Sequence, residues 1–109
     1  MGYDGKGVNM VRTADDLLDL PDVPGIAEKA VDIQVEIAVI VVRGQNGDVK
    51  CFPACEMFFK EEANLVEFVS CPPFLDTSIT SEAESIARSI ADKFGTVGLL
   101  AVGLFATVS

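Results

Sequence analysis

The chain has 109 residues, half of them hydrophobic, with a net charge of -9 and no histidine. That is enough apolar sequence for one domain with a core, over residues 1–109, and too much for a disordered chain. The acidity excludes non-specific binding to nucleic acid or to an anionic membrane, so any polyanion must be held by a few local cations or by backbone N–H groups.

In chain order, Val8–Val11 reads as a short strand. Thr13-Ala-Asp-Asp16 caps a short helix carrying Leu17, Leu18 and Leu20, which Pro21 and Pro24-Gly25 end. Ile26–Val31 is a second short strand. Val35–Arg43 is a stronger one, apolar on both faces except at Glu36, a pattern that predicts a central strand covered on both sides. Gln45-Asn-Gly-Asp48 is a hairpin turn with Asn-Gly at its centre; Val49–Phe52 pairs back and Pro53 closes that strand.

Residues 54–64 read as irregular and charged. Leu65–Cys71 is a strand stopped by Pro72-Pro73. The clearest helix runs from about Ser81 to Phe94, capped by Ser81 (with Glu84 completing a box) or by Thr80, with Ile79, Ala83, Ile86, Ala87, Ile90 and Phe94 on its apolar stripe. Gly95 stands where a C-terminal cap belongs. Val97–Val108 is the last strand, interrupted by Gly98 and Gly103. The class is α+β: five or six mostly antiparallel strands with one long and one short helix.

Cys51, Cys55 and Cys71 are an odd set with no second pair and no histidine to complete a zinc site; they read as reduced, half-buried thiols. The opening Met1-Gly-Tyr-Asp-Gly-Lys6 is not a signal peptide. Val97–Val108 is too short for a bilayer, which needs about 20 apolar residues. Together these features predict a cytoplasmic protein.

Gly2, Tyr3, Asp4, Gly5, Lys6 and Gly7 form a glycine-rich stretch whose backbone can turn tightly and present N–H groups to phosphate, with Lys6 as a point charge. By itself it reads as a glycine-rich hairpin tip, and it lacks the spacing of a Walker A loop. Glu36 is the other singular residue. A lone carboxylate on a buried strand costs several kcal/mol unless it has partners or a polar ligand. It reaches solvent at a strand end, pairs with Lys50 across the hairpin, or meets a ligand.

In order and spacing these segments resemble the ATP-grasp N5-carboxyaminoimidazole ribonucleotide synthetases. Gly2 to Val8 resembles that family's phosphate-covering loop. Glu28, Lys29, Ala30 and Val31 resemble the hinge whose backbone meets adenine, and Glu36 matches the ribose-contacting glutamate. Phe52-Pro53, Glu56-Met57 and Glu62 to Glu67 resemble the segment on the substrate side. The resemblance implies ATP and magnesium as cofactors, and a ligase that carboxylates aminoimidazole ribonucleotide with ATP and bicarbonate in purine biosynthesis.

The sequence also departs from that pattern. Gly103 stands where the family has a metal-holding glutamate, and Lys60 stands near an expected histidine. A second metal-binding glutamate and a basic substrate loop are expected beyond residue 109, and a further domain before residue 1. No catalytic residue and no metal set is therefore assigned. Glu56 and Glu67 read as solvated surface. Two readings stay open: the ATP-binding part of such a ligase, inactive alone, or a non-catalytic binding module derived from the same fold. In either, the apolar last strand predicts self-association into a homo-oligomer.

Overall fold

The computed structural model describes residues 7–60 and 65–107. After a 3-10 turn at Ala14–Asp19 come strands β1 (Ile33–Arg43), β2 (Val49–Cys51), β3 (Cys55–Lys60) and β4 (Leu65–Ser70), then helix α1 (Thr77–Phe94) and strand β5 (Gly98–Thr107). Every pairing is antiparallel. β1 is the central strand. β5 runs along one edge over nearly its whole length, while β3 and β2 share the other edge, and β4 lies outside β3.

The Asn-Gly turn forms as expected: Gly47 takes φ 88, and Gly44 N–H donates to the Asp48 carbonyl at 2.9 Å. Thr13 caps the 3-10 turn, and the Asp16 carboxylate turns back to accept the N–H groups of Arg12 (2.7 Å) and Thr13 (2.8 Å). Those two backbone hydrogen bonds hold the exposed Asp16 carboxyl below its ordinary range.

The core lies between α1 and one face of the sheet. Ile37, Val39 and Val41 of β1, with Val102 of β5, are buried against Ala83, Ala87 and Ala91. Those alanines recur every four residues, so a line of small side chains lets the helix approach the strands closely. The Arg88 guanidinium donates to the Val49 carbonyl at 2.9 Å, and the Cys51 thiol lies 3.8 Å from the Glu84 carbonyl; both tie the helix to β2. Arg43 Nε lies 3.5 Å from Asp92 Oδ1 without hydrogen-bond geometry, and Asp92 is largely exposed, so this pair adds little.

Several expectations are corrected. Val8–Val11 and Ile26–Val31 are exposed and irregular, because β-propensity makes no strand without a partner ladder. The reverse holds at Cys55–Lys60, read as irregular because of its charges, which is a strand between β1 and β4. There Glu56 is not surface: it shares the helix-side face with Ile37, is 8% exposed, and accepts the Phe74 N–H at 3.1 Å. It thereby fastens the segment leading into α1. Glu67 is exposed as expected.

The helix begins four residues early, after Asp76, so Ser81 and Thr80 are not its cap. Ile86, off the alanine line, is 41% exposed, and Phe94, on the last helical residue, is 77% exposed. The Gly95 cap is left-handed, as expected. β1 is central but covered on one side only. The face carrying Glu36, Ala38 and Ile40 has no layer over it among the described residues.

The two glycines of β5 differ in kind. Gly98 has φ 103, a conformation in which an L side chain is strained, whereas Gly103 has no such φ and open space around a would-be Cβ. Gly98→Ala is expected to destabilise the fold by about 1–3 kcal/mol. Gly103→Ala is expected to stabilise it by about 0.5–1 kcal/mol, through lost chain entropy in the unfolded state. Urea unfolding of the two variants beside the parent checks both signs.

Candidate functional site

Strand alternation sorts the sheet into two faces. On β1 the odd-numbered residues meet the helix, which leaves Glu36, Ala38 and Ile40 on the uncovered side. Register brings Met57 opposite Glu36 and Cys55 opposite Ala38 from β3, and Phe105 opposite Glu36 and Gly103 opposite Ala38 from β5. The uncovered face is thus apolar, with exposed Leu99 and Phe105 on one flank and Val69 on the other.

Along this face runs a hollow of about 340 Å³, lined by Ala38, Ile40, Phe52, Pro53, Cys55, Met57, Val69 and Cys71. Its volume falls within the roughly 300–1,000 Å³ of small-molecule sites. The lining carries no charged group. Glu36 sits next to it, one strand position beyond Ala38 on the same face.

Glu36 is half-buried, and desolvation pushes its carboxyl above the ordinary value of 4.5. Among the described residues it accepts no hydrogen bond. Pairing with Lys50 is ruled out: Lys50 lies opposite Val42, six residues along β1, roughly 20 Å away at strand spacing. A partly desolvated carboxylate beside an apolar hollow is a strong hydrogen-bond acceptor held ready for a donor. Ligand hydroxyl groups are such donors, and a flat apolar ring suits the hollow.

The other sequence-derived site residues are not gathered here. Gly2, Tyr3, Asp4, Gly5 and Lys6 lie outside the described residues, as do residues 61–64 of the substrate-side segment. Gly7 is exposed. Glu28, Lys29, Ala30 and Val31 are exposed and irregular, just before β1. Lys60 is exposed at the end of β3. Gly103 lies on the uncovered face, diagonal to Glu36, so a side chain there would face the hollow's side of the sheet and not the core. Among the described residues no three His, Cys, Asp or Glu side chains gather to hold a metal ion, and no helix is long and apolar enough to cross a membrane. Sequence reasoning missed the hollow itself. Its lining comes from three strands, β1, β3 and β4, and the loops after β2 and β4, and the only local signal was the apolar second face of Val35–Arg43.

A family model for the ATP-grasp domain matches residues 1–109. The chain belongs to the ATP-grasp family. It is 33% identical over 112 residues to the N5-carboxyaminoimidazole ribonucleotide synthase of Mycobacterium bovis, covering 97% of this chain and 26% of that protein. It is 32% identical over 109 residues to the phosphoribosylaminoimidazole carboxylase of Schizosaccharomyces pombe, covering 96% of this chain and 19% of that protein.

Among solved structures, the ADP complex of an N5-carboxyaminoimidazole ribonucleotide synthetase superposes with a TM-score of 0.86 at 32% identity, over 98% of this chain and 29% of that one. The Thermotoga maritima synthetase gives 0.65 at 29% identity, over 73% and 20%. The resemblance drawn from the motifs therefore holds along the whole chain. The five-stranded α+β fold is that of an ATP-grasp half-domain, and the chain spans about a quarter of the length of the curated relatives it matches.

The raised carboxyl of Glu36 has a consequence for stability. The folded chain holds that proton to higher pH than the unfolded one, so Glu36 contributes its full stability below pH 4.5. The contribution is lost as pH rises through the raised value. Glu36→Gln is therefore expected to melt higher than the parent at pH 7, and the gap should close as pH falls below about 4.5. Paired thermal melts across that range test the sign.

Proposed function

We propose that this chain is the nucleoside-binding part of an ATP-dependent ligase that carboxylates aminoimidazole ribonucleotide with ATP and bicarbonate. The observation that carries it is Glu36, a desolvated carboxylate with no donor among the described residues, beside an apolar hollow on the uncovered face of an ATP-grasp sheet. In this reading Glu36 accepts the ribose hydroxyl groups, the backbone of Glu28, Lys29, Ala30 and Val31 meets adenine, and the Gly2–Gly7 loop covers the phosphates. ATP with magnesium is the cofactor, and the cytoplasm, where nucleotides are made, is the compartment. The described residues supply no cluster of magnesium ligands, and phosphoryl transfer depends on such charge stabilisation. As about a quarter of the length of such a ligase, the chain is proposed to be inactive by itself.

Calorimetry should give similar weak affinities for adenosine and ATP. Glu36→Ala should weaken adenosine binding by about tenfold or more, the worth of a hydrogen bond to a charged group. No ADP should be released with aminoimidazole ribonucleotide, bicarbonate and magnesium-ATP. An adenosine affinity indifferent to residue 36 would remove the basis of the reading, and turnover of roughly 1 per second or more would contradict the inactivity.

The uncovered face also supports self-association as a homo-oligomer. Leu99, Phe105 and Val69 are exposed on it, and β5, with no charged residue, pairs only with β1 among the described residues. Light scattering is expected to show mass rising with concentration. Phe105→Lys, which charges the exposed face, should lower it, and a constant monomer mass would overturn the proposal.

A further inference from the structure

The sequence spacing draws attention to Cys51 and Cys55, but the sheet separates them. Cys51 lies opposite Val41 on the helix side, its thiol against the Glu84 carbonyl. Cys55 lies opposite Ala38 on the other face. The ladder of β3 and β4 pairs Met57 with Val69 and Glu56 with Ser70. One step further on that register, Cys55 comes opposite Cys71, and both line the same hollow. The Cys71 thiol lies 3.8 Å from the carbonyl of Ala54, the residue before Cys55, and the Cys55 thiol lies 3.6 Å from the Pro53 carbonyl. Directly opposed residues on one sheet face have Cβ atoms about 4.5–5.5 Å apart. A disulfide needs Cβ atoms about 3.5–4.5 Å apart, so closure asks for only a small approach of the two strands.

From this geometry we infer that Cys55 and Cys71 form a cross-strand dithiol, a modification site that low-molecular-weight disulfides oxidise reversibly to an internal disulfide. Cys71 is the exposed member and reacts first. Its thiolate attacks one sulfur of the small disulfide, forming a mixed disulfide and releasing one thiol. The Cys55 thiolate then attacks the Cys71 sulfur and expels the second small thiol. Two protein thiols are oxidised, one small disulfide is reduced to two thiols, and the two protons leave with them. Burial, and then a thiol–thiol hydrogen bond with Cys71, push the Cys55 thiol above its ordinary value of 9.0. The closing step therefore speeds up as pH rises.

The test is to treat the reduced, folded chain with glutathione disulfide, quench with acid, and read intact mass, free thiols and the linked peptides. The expected product has lost the mass of two hydrogens, keeps Cys51 as its one free thiol, and yields Cys55 joined to Cys71. Cys51→Ser should give the same bridge. Cys55→Ser should stop at a glutathione adduct on Cys71. Closure in the folded chain should be at least about tenfold faster than in urea, since the fold supplies the proximity. Stable separate adducts on both cysteines, a bridge to Cys51, or equal rates folded and unfolded would each overturn the inference.

Discussion

The structure depends on the contact between a line of alanines and a strand of branched residues. Ala83, Ala87 and Ala91 present almost no side-chain bulk, so α1 lies close against Ile37, Val39 and Val41 and buries them completely or nearly so. A chain of this size can form one such layer well. The helix covers one face of β1, and among the described residues nothing covers the other. That asymmetry creates both the core and the candidate site.

Glu36 takes its character from the same asymmetry. On the helix side a carboxylate is tolerated where a backbone donor meets it, as Phe74 N–H meets Glu56. On the uncovered side Glu36 has only apolar neighbours across both flanking strands, and its charge is poorly solvated. Its charge costs the folded chain stability, and a hydrogen-bond donor brought to it would relieve that cost. The relationship to ATP-grasp proteins gives that group a context; desolvation explains why it stands out.

Gly103 has the opposite character. It lies on the uncovered face with open space around it, where a side chain would meet no obstacle. The absence of a carboxylate there is not imposed by packing. The sheet that positions Glu36 also holds an unfilled place diagonal to it, on the same uncovered face.

Local chemistry made much of this legible in the sequence. The Asn-Gly hairpin, the left-handed cap at Gly95, the last strand and the apolar strand with its one glutamate each depend on a few adjacent residues, and the ATP-grasp resemblance rests on motifs in fixed order. What the sequence could not decide required two distant segments to meet. Cys55–Lys60 is a strand only because β1 and β4 lie on either side of it, and Ile26–Val31, with better strand chemistry, has no partner among the described residues. Glu56 is buried because the segment before α1 folds over it. Cys55 belongs with Cys71 and not with Cys51, because neighbours in a strand alternate between faces while register joins residues far apart in the chain. Side-chain type and spacing settle which elements a chain can form; only the tertiary structure decides which of their faces is covered, and so where the site lies.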